Sequence, residues 1–494
     1  MHKNTNALVK AIRFATLAAV AAPATVMAGG FSLNEQSASQ MGVANAGAAA
    51  NPENATTVLF NPAGMSQLSG TNISFGAAVL DIDAEAKSST VQSTDALGQP
   101  GAYTGNGGDI ADPAVLPNFY LTHEINDSID VGFGIHAPYG LAADYENDFA
   151  GRYLADKTEL TVISFSPSIA VNNGKGLSMG VGINVMYGEG RLTKYQDLRG
   201  AVVRGGVQAA GATSLDQLPA AAQQQILAQA NGLAAQYPDT YSDVEGDDIA
   251  INFRVGFLYE LSEATQFGLT AQTGTEFELE GDLEISQFPG ELLGIPGVTG
   301  PQTLTEKAEV PLAIPESLTV GVRHQLNPEF TLLAGATYSR WSRFEELDVY
   351  SAEGGAGQVS QVIQPAAGDP ITHVTEKWNN TWQFNLGGIW QANEAWAFKA
   401  GYAFDESPVN ENFVTARIPS EDRHWLTLGT QWKDAQSGWT VDAAIGTLIF
   451  ADDANVDDRE YSHQQPAVPS SKTNYKAEYD LSAWSAAIEF SKAF

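Results

Sequence analysis

Between Ile249 and Tyr259 every second residue is greasy. Ile249, Ile251, Phe253, Val255, Phe257 and Tyr259 share one face, while Ala250, Asn252, Arg254, Gly256 and Leu258 share the other. Side chains of an extended chain point alternately to opposite faces, so this segment predicts a strand with one oily side. The pattern recurs: Met179, Val181, Ile183, Val185 and Tyr187 oppose Gly180, Gly182 and Asn184. Trp382, Phe384, Leu386 and Trp390 oppose Gln383, Asn385 and Gly387, and Trp396, Phe398, Tyr402 and Phe404 oppose Ala397, Lys399, Gly401 and Ala403. A soluble β-sandwich also alternates, but its polar face meets water and carries Lys, Glu and Thr. Here the second face is rich in Gly, Ala and Asn, as suits a closed interior with something packed inside it. Strands of about ten residues have the length of a tilted membrane-crossing strand.

The connections between these strands take turns in being short and long. Asn126-Asp127, 172–176, 262–264, Asn327-Pro328, 392–395 and 434–438 are tight; 84–113, 138–158, 193–246, 286–315, 348–372, 405–420 and 451–473 are long. Six turns and seven loops, with both ends on the turn side, predict an all-β, transmembrane antiparallel barrel of about fourteen strands. Trp390 and Trp396 flank one turn, and Trp432 and Trp439 flank another. Indole rings prefer the headgroup level, so the four predict an aromatic girdle on the turn side. The chain ends on Phe494, with Phe490, Ile488 and Trp484 on the same face of an amphipathic last strand.

Composition narrows the setting. Residues 1–28 open with Lys3, Lys10 and Arg13, continue with an apolar stretch and close on Val26-Met27-Ala28, the order of a secretory signal peptide. Removing three basic and no acidic residues takes the formal charge from −33 to −33 − 3 = −36, which excludes nucleic acid as a natural partner. There is no cysteine, so an exported chain of this length relies on hydrogen bonds and apolar burial. No run after the leader reaches the roughly 18 apolar residues of a membrane helix. Export with strand-borne greasiness places the chain in a bacterial outer membrane, in contact with lipid and lipopolysaccharide, and a monomer is expected.

Residues 29–70 do not read as a strand. Ala44–Ala50 is built of small residues, Asn51-Pro52-Glu53-Asn54 and Asn61-Pro62-Ala63-Gly64 are turns, and Phe31, Val58, Leu59, Phe60 and Met65 argue against free disorder. A plug inside the lumen is expected, with the barrel over 71–494. The segments GFSLNEQSASQMGVANAGAAA (30–50) and TVLFNPAGM (57–65) resemble the N-terminal hatch of the FadL family of outer-membrane long-chain fatty acid transporters. PYGLAADY (138–145), GRY (151–153), PSIA (167–170), PESLTVG (315–321), WSRF (341–344), GYAFDESPV (401–409) and ARIPSEDRHWLTLG (416–429) resemble family segments in the family's order.

That resemblance implies uptake of a long-chain fatty acid or similar hydrophobic molecule. It implies capture at outer loops three (about 193–246) and four (about 286–315), a deeper binding pocket, hatch movement, and lateral release at an inward kink in the third strand. Phe31 matches the hatch phenylalanine that reaches toward the pocket, and Asn61-Pro62-Ala63 matches the hatch's NPA turn, in a structural or a gating role. Ala137-Pro138-Tyr139-Gly140 ends the third strand. Pro gives the ladder no donor and Gly weakens a strand, so the wall either opens here or simply stops. In loop three, Leu218, Ala222, Ile226, Ala230, Leu233 and Tyr237 recur at helical spacing. Loop four carries Leu292, Leu293 and Ile295, which either pack on loop three or form a groove with it. A carboxylate in an apolar pocket needs a cation. By parity Arg254, Arg323 and Lys399 face inward, as its partners or as partners of hatch acids such as Glu35 or Glu53.

Other classes fit worse. His123, His136, His324, His373, His424 and His463 show no spacing with Ser and an orienting group, and there is no HExxH or nucleotide loop. No catalytic residue, metal site or cofactor is expected. Asp452, Asp453, Asp457 and Asp458 read as a solvated acidic loop, with a divalent cation held at the cell surface as the alternative. A general porin would not need the plug. An aromatic-hydrocarbon channel of the same family remains the alternative cargo reading, because both cargoes need an apolar pocket.

Overall fold

The computed structural model describes residues 30–494; the leader expected over 1–28 lies outside them. Fourteen antiparallel strands close into a barrel. The first six are β1 (Thr71–Ala86), β2 (Ala114–Asn126), β3 (Ile129–Asp144), β4 (Lys157–Phe165, resuming over Ser168–Asn172), β5 (Leu177–Gln196) and β6 (Thr240–Glu260). Next come β7 (Thr265–Gln272 and Thr275–Pro289), β8 (Pro301–Ile314 and Ser317–Gln325), β9 (Phe330–Ser339) and β10 (Thr381–Gln391). The last four are β11 (Trp396–Asp405), β12 (Arg423–Lys433), β13 (Trp439–Phe450 and Ala454–Ser462) and β14 (Gln465–Ala493). Closure is direct: β1 pairs with β14 from Asn72↔Ala493 to Ala86↔Tyr479 and with β2 on its other edge. The ring of ladders is closed, as a backbone in lipid requires, except where β2 and β3 part beyond Phe119↔Ile135.

The oily faces point outward. Ile251 and Phe253 are 50% and 49% exposed and Ile445 is 61% exposed, whereas Ala250, Asn252 and Arg254 between the first two and beside them are buried. Among the described residues no helix is long and apolar enough to cross a membrane. The girdle forms as expected at the turn side. Trp396 stands opposite Trp432 in the ladder, with ring centroids 6.5 Å apart, and Trp390 is exposed beside Phe330.

Several outer connections are shorter than the sequence suggested, because their strands outrun the membrane, whereas the β9–β10 connection is longer, 340–380 in place of 348–372. The expected loop four, 286–315, shrinks to the stretch between Pro289 and Pro301, and 451–473 is mostly the paired ends of β13 and β14. Leu304, Glu306, Ala308, Val310 and Leu312 are buried in alternation with more exposed Thr305, Lys307 and Glu309. That period of two was present, but without a greasy lipid-facing side it did not read as strand. Loop three, 197–239, carries the expected helix over Ala220–Gln236 and another over Leu198–Ala209.

Candidate functional site

The Gly-rich interior face has a direct structural cause. A Cβ built on Gly268 of β7 would lie 1.8 Å from the Ala49 carbonyl oxygen, and one on Gly401 of β11 2.1 Å from the Val43 carbonyl carbon. Gly180 on β5 touches Pro62 and Ala63, Gly256 on β6 touches Asn61, and Gly387 on β10 touches Val43. Residues 30–70 therefore lie inside the barrel against the backbones of successive strands, where only glycine lets two main chains approach so closely. Asn61 fixes the NPA turn. Its side chain accepts from Ala63 N at 3.0 Å and donates to the Ala49 and Phe257 carbonyls at 2.6 and 2.9 Å. Pro62 starts a short 3-10 helix, a position that needs no donor.

Of the three inward cations, Lys399 is taken up by this segment. Its Nζ lies 2.6 Å from Glu53 Oε2 and 3.0 Å from Asp442 Oδ1 and donates to the Ser39 carbonyl. Arg323 lines a chamber at the turn side with Asn51, Glu53, Lys433 and Lys492. Arg254 is different. It is buried, donates to Gln272 Oε1 at 2.6 Å, and forms no ion pair with a carboxylate among the described residues.

Arg254 faces a lumen chamber of about 220 Å³ shared with Gln36, His136, Pro138, Tyr139 and Gln272. Both ring nitrogens of buried His136 lack a hydrogen-bond partner. Here the wall changes. The β2–β3 ladder stops at Phe119↔Ile135, and the β3–β4 register shifts between His136 and Tyr139. Residues 114–118 of β2 continue without β3, and the free edge of β3 is taken by the N-terminal segment. Leu33 N donates to the Pro138 carbonyl at 3.0 Å, and Gly140 N to the Phe31 carbonyl at 2.9 Å. Ala137 lends its carbonyl to Gln36 Nε2 at 2.6 Å. The strand thus continues to Asp144 past Pro138, bent away from its neighbour.

Phe31 separates this chamber from a second, apolar pocket. Its ring, 1% exposed, meets Trp341, Phe344, Trp378 and Tyr139 with centroids 4.6, 5.7, 5.7 and 6.0 Å away. Beyond it lie Leu141, Leu160, Leu279, Leu312, Phe344 and Ile418 around a free volume of about 40 Å³. That is room for a water molecule, so an acyl chain would have to displace packed side chains. Beside Ile418, buried Arg417 donates to Thr158 Oγ1 and the Thr193 carbonyl, and its Nε has no partner. Burial pulls this guanidinium below its ordinary value, against the pull of nearby Asp458, Glu376 and Asp156.

The structure brings Phe31, Ala137 to Gly140 and Arg254 together at one point of the wall. It leaves Leu292, Leu293 and Ile295 apart. Ile295 is 56% exposed, and Leu293 packs on the main core. The apolar faces of the two loop-three helices pack on each other, with Ile226 and Leu227 against Val203 and Val207. Tyr237 ties loop three to loop four by hydrogen bonds to Glu291 and from Gly300 N. Sequence reasoning missed Trp378 and Leu347, which sit in a loop without periodicity; Trp341 and Phe344 were visible only inside the WSRF segment, and Arg417 only inside ARIPSEDRHWLTLG.

Comparison with known proteins agrees with this architecture. A family model described as outer membrane protein transport protein (OMPP1/FadL/TodX) matches residues 18–494. The long-chain fatty acid transport protein of Escherichia coli (strain K12) is 26% identical over 469 residues, covering 94% of each chain. The crystal structure of a Pseudomonas aeruginosa FadL homologue superposes with a TM-score of 0.77 at 20% identity, over 94% of this chain and all of that one. The Pseudomonas putida toluene transporter TodX gives 0.61 at 15% identity, over 94% and 99%.

Proposed function

The chain belongs to the outer-membrane transport family of FadL and TodX, and from that premise we propose that it carries long-chain fatty acids inward across the outer membrane without an energy source. The observation that carries this reading is the adjacency of three features: an apolar pocket closed by Phe31, a buried Arg254 without a carboxylate partner, and the break in the β2–β3 ladder. Burying one methylene is worth about 0.8 kcal/mol, so a sixteen-carbon tail resists a water-filled pore by roughly ten kcal/mol. An exit through the wall moves the tail from apolar pocket to apolar bilayer without wetting it.

In this scheme the tail is caught at the outer loops, with Leu292, Leu293 and Ile295 as first contacts, and passes into the pocket roofed by Phe344 and Leu347. The carboxylate then meets Arg254 and His136, where a buried anion finds donors that hold no other acid. Residues 30–70 act as a hatch. Withdrawal of Leu33 and Phe31 from β3 opens the gap beside Pro138 and Tyr139, with Asn61-Pro62-Ala63 as the anchored end. The chain acts as a monomer, its exposed belt in lipid and lipopolysaccharide.

The aromatic box of Phe31, Trp341, Phe344 and Trp378 favours a second cargo, monoaromatic hydrocarbon, on the same route. Arg254→Met separates the two. Binding of a fatty acid to the purified variant should weaken at least about ten-fold, the loss of one charge-assisted hydrogen bond, while binding of a neutral alkane or toluene stays the same. Equal losses for acid and hydrocarbon would remove Arg254 from headgroup recognition.

A further inference from the structure

Outside the lumen, two outer loops meet over side chains that the transport route does not use. Glu346, Asp348 and His373 come from the chain between β9 and β10, and one oxygen or nitrogen of each lies within 4.8 Å of the others. The bridges Glu346↔Thr375 and Val349↔Thr372 set the register, which puts Asp348 opposite His373 and Glu346 on the same side as Asp348. His373 Nδ1 lies 2.6 Å from Asp348 Oδ1. From the tight turn between β13 and β14, His463 brings Nε2 to 3.6 Å from Asp348 Oδ2. Its Nδ1 faces Asp369 Oδ1 at 3.5 Å, is buried and makes no hydrogen bond. Asp348 and His373 are sheltered, their side chains 2% and 6% exposed, while Glu346 and His463 reach toward the surface, His463 at 29%.

The charge is unbalanced. Among the described residues neither Lys nor Arg forms an ion pair with Glu346, Asp348 or Asp369, and the two imidazoles are the only basic groups that do so with the aspartates. A divalent cation would relieve three carboxylates at once, and the donor set says which kind. Calcium and magnesium take oxygen ligands, whereas imidazole with carboxylate suits zinc and its neighbours. Tetrahedral zinc with bonds of about 2.1 Å holds its ligand atoms about 3.4 Å apart. Within the three-residue cluster the His373–Asp348 contact needs to widen by less than an ångström, and His463, outside that cluster and 3.6 Å from the other Asp348 oxygen, has to swing inward to complete the set.

We propose that Glu346, Asp348, His373 and His463 form a site for one divalent transition-metal ion of the zinc type, with Asp369 orienting His463 through its other ring nitrogen. The ion would clip the β9–β10 loop to the β13–β14 turn. Leu347, between the two acidic ligands, lines the apolar pocket, so the clip lies directly over that pocket's roof.

The test uses untagged mature protein in detergent, stripped with a chelator and titrated calorimetrically with Zn²⁺, then with Co²⁺ while its visible absorption is followed. One equivalent of Zn²⁺ is expected per chain, with Co²⁺ showing the intense bands of a tetrahedral site. His373→Ala and His463→Gln should each weaken binding at least about ten-fold, and Zn²⁺ should raise the Tm of the wild type and not of the double variant. Both changes sit in outer loops, so the strand signal in circular dichroism should be unchanged and serves as the folding control. Absence of saturable Zn²⁺ binding, undiminished binding by the folded double variant, or a preference for Ca²⁺ would each overturn the assignment.

Discussion

Lys399 Nζ sits 2.6 Å from Glu53 Oε2, joining the eleventh strand of the wall to the segment that fills the lumen. The ammonium is 1% exposed and also meets Asp442 at 3.0 Å. Breaking a buried pair from one side leaves its partner's charge uncompensated, at a cost of about 3–5 kcal/mol. Lys399→Met should therefore loosen residues 30–70 from the wall. Purified variant in planar bilayers should conduct ions more readily than wild type, and its N-terminal segment should become accessible to protease. Unaltered conductance and protection would mean that this pair does not hold the segment in place.

The barrel could be read from the sequence because its signal repeats: lipid demands a greasy side chain at every second position of every crossing, and Ile251, Phe253 and Leu428 supply it. The candidate site was legible only by face. Parity put Arg254, Arg323 and Lys399 inside, but parity carries no height along the barrel axis and says nothing of what the lumen segment brings alongside. Glu53 was among the expected partners, but parity could not assign it to Lys399, nor tell that Arg323 lies at the turn side or that Arg254 meets no acid among the described residues. The box around Phe31 was hidden for another reason. Trp341, Phe344 and Trp378 come from one long irregular loop, where no period links residue number to direction.

Gly268 gives a sharper handle on the lumen segment than any charge. The atoms its Cβ would strike are the Ala49 carbonyl and the Ala50 nitrogen, backbone that cannot rotate away. Gly268→Val should leave the barrel assembled, because its outward neighbours are unchanged, yet keep residues 46–50 from seating. The expected readout is raised conductance with a normal strand spectrum. Gly388→Ala is the control, since its Cβ would meet only the Thr331 carbonyl oxygen at 3.7 Å, and its stability should stay within about 0.5 kcal/mol of wild type. Should Gly268→Val behave like the control, the segment does not press on β7 in the membrane.

Phe31 fills its box so fully that the pocket beyond retains about 40 Å³. A ligand tail must displace that ring or its neighbours, so ring size should set the association rate. Phe31→Ala removes the obstacle and should speed association of a fluorescent fatty acid in stopped flow, while Phe31→Trp overpacks the box and should slow it. Phe→Ala changes in packed interiors cost about 3–5 kcal/mol, so the unfolding midpoint of Phe31→Ala should also drop. Identical association rates for all three proteins would take Phe31 off the route.

Glu376, in the loop between β9 and β10, is fully buried and accepts from Trp378 Nε1 at 2.8 Å. Burial pushes its carboxyl from 4.5 up to about 8, outweighing the hydrogen bond from Trp378. A folded-state value above the unfolded one means that the folded chain binds the proton more tightly. The stability this group contributes is fully present below about pH 4.5, is lost as pH rises from there through about 8, and is flat beyond. Glu376→Gln keeps an acceptor for the indole and removes the titration. The variant should match wild type near pH 4.5 and exceed it at pH 9, with the gap in denaturant midpoint opening steadily between those limits. Tryptophan fluorescence is the natural probe, because Trp378 reports from the box itself. A constant gap across that range would show that Glu376 stays ionised in the folded protein and that its burial is relieved in some other way.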